Sequence, residues 1–238
     1  MVHFYCIGMS HISPETIVIS VGGSLIVPNE IDTEFLSSFK KFISAHVREG
    51  KKFIIIAGGG KTARKYMDAV RTQGELAPDD LDWIGIHATR LNAHLLRTIF
   101  RKDAHLEVIN NPHDDIDTNA PIIVAAGWRP GNSTDYIATL LAYEMRAKHL
   151  VNLTDIDYAY SEDPEINPNA KPLEKISWHE FRELIPKEWN PGLSTPFDPI
   201  AAAEAERDGI EVAIINGRKL EEFGKYLRGE PFIGTLIQ

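Results

Sequence analysis

The chain has 238 residues, 43% hydrophobic and 25% charged, the balance of an ordinary soluble globular protein with room for one or two domains. Its formal net charge of −9 excludes a general nucleic-acid footprint, which needs a basic face, but not a small nucleotide whose phosphates a few local cations can meet. The single cysteine, Cys6, excludes an internal disulfide and a CxxC zinc site, which fits a reducing cytoplasm.

The opening MVHFYCIGMSHI lacks the basic start and long apolar stretch of a signal peptide and reads as a short strand or tail. No run of about eighteen apolar residues follows, so no membrane span is expected. Apolar periodicity then predicts a strand at 15–21, a helix at 31–49, a strand at 52–57 and a helix at 60–73. Helical spacing resumes through Leu81, Ile84, Leu91, Leu95 and Ile99. Pro121–Ala126 reads as a buried strand, Thr134–Lys148 as a helix and His149–Leu153 as a strand. Phe181 and Leu184 fall in one further helix and Asp198–Asp208 in another; Glu211–Ile215 and Phe232–Ile237 close the chain as strands. Strand–helix alternation predicts an α/β fold, a mostly parallel sheet with helices on both faces. Loops are expected at 113–119, which is acidic, at Asp163–Pro172, with three prolines, and at Pro186–Pro199, with four. No repeat or domain-separating linker occurs, so one domain with a soft division near residue 150 is expected.

Two glycine turns carry the chemistry. Thr16–Val21 runs into Gly22-Gly23-Ser24, and Phe53–Ala57 runs into Gly58-Gly59-Gly60-Lys61 ahead of a helix. A strand that stops at glycines and feeds a helix leaves bare N–H groups at a positive helix end, a seat for phosphate. Two such turns in one small protein suggest two phosphates held face to face. GGGKT at 58–62 is not a P-loop, since Ile55 stands where that motif needs a glycine. The dinucleotide pattern needs an acidic residue closing the next strand, whereas Asp79, Asp80 and Asp82 introduce a helical pattern. Lys61 and Arg64 follow on the first helical turn, and Arg64 suits bidentate phosphate contact. A third strand-to-helix loop is Gly127-Trp128-Arg129-Pro130-Gly131-Asn132-Ser133-Thr134-Asp135. Its Ser, Thr and Asp suit a helix cap, or hydroxyl and N–H groups for a phosphate. The stretch at 115–119 lacks the glycine and glutamate of an EF-hand and reads as a solvated loop. His87 and His94 fall on one helix without metal-ligand spacing, so no protein metal site is expected.

In this order the pieces resemble the amino acid kinase superfamily, most closely its UMP kinases of archaeal type. The resemblance runs from Thr16 to Ile237. It rests on VISVGGSLIVP, AGGGKTARKY, LDWIGIHATRLNAHLL, GWRPGNSTDYIATLLA and LTDIDYAYSEDP. It implies a three-layer α/β/α fold and transfer of the γ-phosphate of Mg-ATP to UMP. An acceptor-nucleotide half would cover about 1–150 and an ATP half about 151–238. By position, Gly59 and Arg64 would meet the UMP phosphate and Asp82 the ribose. Gly127, Trp128, Gly131, Asn132, Ser133 and Thr134 would close over UMP. Ser20, Gly22, Gly23, Ser24 and Gly60 would line the ATP phosphates, and Thr154, Asp155, Tyr160 and Asp163 the adenosine. Asp135 would organise the cations around the transferring group. Family members are commonly hexamers, so a cytoplasmic homo-oligomer is expected.

Three positions depart from the family pattern. Ser20 stands where many relatives carry lysine, and Lys61 and Arg129 are the candidate replacement cations. Tyr158 stands where the family has glycine, and the loop from Gly127 is short, with Trp128 and Arg129. Two other readings stay open: a non-catalytic nucleotide- or oxyanion-storage protein on the same fold, and a kinase with a different acceptor.

Overall fold

The computed structural model describes residues 16–77, 79–164, 166–187 and 195–238. The expected N-terminal tail with Cys6 and the middle of the Pro186–Pro199 loop lie outside these described residues.

The centre of the fold is β1 (Thr16–Val21), buried along all but its first residue. It pairs in parallel with β2 (Lys52–Ala57) on one side and β5 (His149–Thr154) on the other, which sets Ser20 between Ile56 and Asn152. Outside β2 lie β4 (Ile122–Ala125) and the edge strand β3 (Ala104–Ile109), both parallel. Beyond β5 come β9 (Glu211–Asn216), then β10 (Thr235–Ile237), antiparallel to β9, and β8 (Lys175–Ile176). The result is one eight-stranded sheet in the order β3-β4-β2-β1-β5-β9-β10-β8. A separate antiparallel pair joins β6 (Ala159–Tyr160) to β7 (Pro172–Leu173).

Strand alternation splits the central residues between two faces. Ile17, Ile19 and Val21 pack with α2 (Thr33–Arg48), α4 (Asp80–Ile99) and α8 (Leu220–Leu227), around Phe39, Leu96 and Phe223. Val18 faces the other way, onto α5 (Thr134–Glu144), α6 (Trp178–Leu184) and α7 (Pro199–Asp208). This is the expected α/β/α sandwich with a mostly parallel sheet. Helix starts follow their caps: Asp32 accepts from Phe35 N at 2.9 Å to begin α2, and Asp198 with Pro199 begins α7. Strands leave β1 through β2, β4 and β3 in one direction and through β5 and β9 in the other. Gly22 N donates to Leu153 O at 2.8 Å and ties the end of β1 to the end of β5.

Some expected boundaries move. The helix from Thr134 stops at Glu144 rather than Lys148, because Arg146 turns left-handed at φ 54° and Ala147 N bonds back to Ala142 O at 2.8 Å. The last strand covers only Thr235–Ile237. The edge strand β3, the short β6, β7 and β8, the single turn α1 (Gly23–Ile26) and α8 are additions to the expected elements. Among the described residues no helix is long and apolar enough to cross a membrane.

Candidate active site

At the carboxyl end of β1 the chain turns through Gly22 and Gly23 into α1. At the carboxyl end of β2 it passes Gly58 and Gly59 into α3 (Gly60–Arg71). The two turns touch backbone to backbone. A Cβ on Gly23 would fall on Gly60 N, and one on Gly58 would fall on Gly23 N. Gly60 also takes φ 63°, which favours glycine. Lys61 N donates to Val27 O at 2.9 Å and closes the pair of turns. No side chain caps the N-terminus of α3. Its first N–H groups have no helical acceptor and stand at the positive end of the helix dipole.

Helix α4 holds both this turn and the loop after β4. Asn92, buried in α4, donates through Nδ2 to Gly58 O at 2.7 Å and to Gly59 O at 3.2 Å. Thr89 Oγ1 accepts from Gly127 N at 2.8 Å and donates to Ile86 O at 2.7 Å. Arg90 donates to Gly127 O at 3.2 Å and to Trp128 O at 3.0 Å. The tip of that loop is held differently. Gly131, at φ 81°, donates its N–H to Asp82 Oδ2 at 2.7 Å. The Arg129 guanidinium lies 4.0 Å from the Trp128 ring centroid and donates to Asn132 Oδ1 at 3.3 Å. The loop ends at Ser133, whose hydroxyl caps α5 by accepting from Tyr136 N at 3.1 Å.

Behind these loops sit two carboxylates. Ser20, in phase with Val18, reaches the α5 face, where its hydroxyl donates to Asp135 Oδ1 at 2.8 Å. The other Asp135 oxygen accepts from Asp198 N at 3.3 Å. Asp198 is 4% exposed; its Oδ1 caps α7 through Ala201 N at 2.7 Å, and its buried Oδ2 has no hydrogen bond among the described residues. Burial pushes the Asp135 carboxyl up to about 6; the Asp198 charge adds to this, and the Ser20 hydroxyl and the Asp198 N–H oppose it. Burial also raises Asp198, against the Ala201 N–H and the nearby Ser133 hydroxyl, which completes no bond to Oδ2.

These parts enclose a cavity of about 570 Å³. It brings together Gly23, Gly59, Gly60, Arg64, Asp82, Gly127, Asn132, Ser133, Thr134 and Asp135 of the expected site. Ser20, Gly22, Ser24, Lys61, Trp128, Arg129 and Gly131 are not among its lining residues. Among the described lining residues Arg64 is the one cation, against Asp82, Asp135 and Asp198. The adenosine-side residues lie apart. Thr154 ends β5 and bonds Asp155 at 3.3 Å, Tyr160 lies in β6, and Asp163 is in the exposed turn beyond it. Tyr158 sets its ring edge-on to Tyr160, with centroids 6.4 Å apart. Among the described residues no three His, Cys, Asp or Glu side chains converge as a metal cage.

Asp198, Thr89, Arg90 and Asn92 were absent from the expected site. The Asp198-Pro199 pair reads from sequence only as a helix start. Thr89 and Asn92 did leave a signal: they are polar residues three apart on the stripe of α4 that also buries Ile86, Ala93 and Leu96.

The model of the amino acid kinase family matches residues 15–216. This chain belongs to the amino acid kinase family. Within it, the chain is 36% identical to the uridylate kinase of Pyrococcus abyssi, over 93% of this chain and 99% of that one. The crystal structure of uridylate kinase from Archaeoglobus fulgidus superimposes with a TM-score of 0.80 at 32% identity, covering 93% of this chain and 99% of that one. The UMP kinase of Bacillus anthracis shares the fold at 20% identity, with a TM-score of 0.76 over 94% and 96% of the two chains.

Proposed function

We propose that the chain is a uridylate kinase that moves the γ-phosphoryl group of ATP onto UMP, giving UDP and ADP. One observation carries this reading. The paired glycine turns and the acceptor groove from Arg64 to Asp135 open into one cavity, so two phosphates can meet there.

In this reading the UMP phosphate sits at the N-terminus of α3 with Arg64, and the ribose takes Asp82. Asp82 already accepts from Gly131 N. A ribose hydroxyl donating to the same carboxylate would tie the loop tip to the nucleoside. The Gly127–Thr134 loop then excludes water from the transfer. The ATP phosphates lie along Gly23 and Gly60, with the adenosine toward Thr154, Asp155, Tyr160 and Asp163. A phosphate monoester is mostly ionised at neutral pH, its second pKa being about 6. No strong general base is required, and positioning with charge neutralisation carries the transfer.

The residues present fit Mg²⁺. Asp135 and Asp198 are adjacent oxygen donors, one with an unpartnered oxygen, beside a cavity short of cations. These two carboxylates would hold the ion that enters with ATP, and the ion would neutralise charge on the phosphoryl oxygens. Lys61 and Arg129 remain the proposed nearby cations in place of a lysine at Ser20. We further propose one domain with an acceptor half and an ATP half, a cytoplasmic homo-oligomer of hexameric type, and no nucleic-acid or membrane partner.

The test is ADP formation by the pure protein with Mg-ATP and a panel of acceptors: UMP, CMP, acetylglutamate, carbamate and isopentenyl phosphate. A clear preference for UMP supports the reading; no preference sinks it. Ser20 and Tyr158, where the chain departs from the family pattern, raise one rival, a storage-type protein on this fold. That rival predicts ATP and oxyanion binding without ADP.

A further inference from the structure

The buried amide of Asn92 does more than fill α4. It is 3% exposed, and its single NH₂ group reaches two consecutive carbonyls, Gly58 O and Gly59 O. Both partners only accept, so the nitrogen and not the oxygen must face them. A trans peptide is planar, with its C=O and N–H pointing opposite ways. Holding Gly58 O therefore fixes the direction of Gly59 N–H, and holding Gly59 O fixes that of Gly60 N–H. Both N–H groups are turned away from Asn92. Gly58, Gly59 and Gly60 all line the cavity, and Asn92 does not. Among the described residues no other side chain bonds this turn: Gly59 caps α3 without a side-chain bond, and glycines resist rotation least.

We propose that Asn92 is a positioning residue that aims the Gly59 and Gly60 N–H groups at the phosphates brought together in the cavity. The proposal rests on the kinase reading for its effect on rate, but not for its effect on these two N–H groups. Oriented donors matter most where charge develops, so loss of their aim lowers kcat more than it weakens binding. Arg90 gives the contrast. It holds the acceptor loop through Gly127 O and Trp128 O, so its loss should act on UMP binding.

The experiment combines amide NMR with steady-state kinetics on the full chain. In wild type, UMP together with the imido analogue of ATP and Mg²⁺ should shift the Gly59 and Gly60 amide resonances. In Asn92→Leu, close in size but without a donor, those two shifts should shrink by at least half. The isosteric Asn92→Asp should behave alike and serves if the leucine variant does not fold. On the kinase reading, kcat falls about 10–100-fold in either variant, with KM for UMP within about threefold. Arg90→Ala should reverse the split, raising KM more than it lowers kcat. Wild-type resonances that do not move with the two ligands together overturn the proposal. So do variant shifts equal to wild type, or a variant kcat within twofold of it. A wild type without UMP-dependent turnover defeats the kinase reading alone, since the amide shifts still decide the role of Asn92.

Discussion

The Ser20 hydroxyl donates to Asp135 Oδ1 at 2.8 Å and so joins the end of β1 to the first turn of α5. The side chain that β1 presents to this carboxylate is thus a neutral hydroxyl and not a cation. A neutral donor stabilises the ionised carboxylate less than a cation would, and burial wins: Asp135 is raised to about 6.

Asp135→Asn should make the protein more stable at pH 8 and less active. The sign follows from linkage. Asp135 binds its proton more tightly folded than unfolded, so its favourable contribution is full below about 4 and is lost as pH rises through about 6. The move from 3.8 to about 6 corresponds to roughly 3 kcal/mol as an order of magnitude. Thermal melts of the two proteins should differ by several degrees at pH 8 and converge near pH 4.

Ser20→Ala removes the hydroxyl that opposes burial, so the Asp135 carboxyl should rise above about 6. Catalysis that needs the carboxylate would then lose its acid limb at higher pH. A pH profile of kcat should shift upward on its acidic side, with the alkaline side unchanged. Ser20→Lys is the informative partner, since it should move the acidic side down.

Arg64→Ala should weaken UMP saturation roughly 10–100-fold, the loss of one charge-assisted phosphate contact. Arg64 is exposed on α3, so the melting temperature should barely change. An unchanged apparent affinity for UMP would remove the acceptor phosphate from that turn.

Gly23→Ala tests the touching glycine turns. The added methyl would overlap Gly60 N and Cα, both backbone, so one turn must move. Overpacking of this kind costs on the order of 1–3 kcal/mol, read by denaturant unfolding. Binding of ATP should fall with it. Gly50→Ala is the control: a methyl there meets nothing within 4 Å, though its φ of 92° adds some strain.

Much of this arrangement was legible in the sequence because it rests on backbone chemistry. Gly22-Gly23 and Gly58–Gly60 announce turns wherever they stand, and the apolar runs before them announce buried parallel strands. That the turns press against each other was not legible, since it depends on β1 and β2 being neighbours in register. Short elements were missed for another reason: β6, β7 and β8 have two residues each, too few for a period. Asp198 escaped because a cap and a site carboxylate use the same residue type, and only the fold sets it beside Asp135. Asn92 and Thr89 showed as polar breaks in an apolar stripe, but their partners lie more than thirty positions away. Arg129 was legible as a candidate cation of the acceptor loop, but its seat over the Trp128 ring was not.

The central claim is phosphoryl transfer from ATP to UMP in one cavity. Phosphorus NMR of the pure protein with Mg-ATP and UMP tests it most directly. The account predicts that UDP and ADP resonances grow in equal amounts while those of UMP and ATP decline together. ATP and UMP that bind yet stay intact, or ADP that forms at the same rate without UMP, would contradict it.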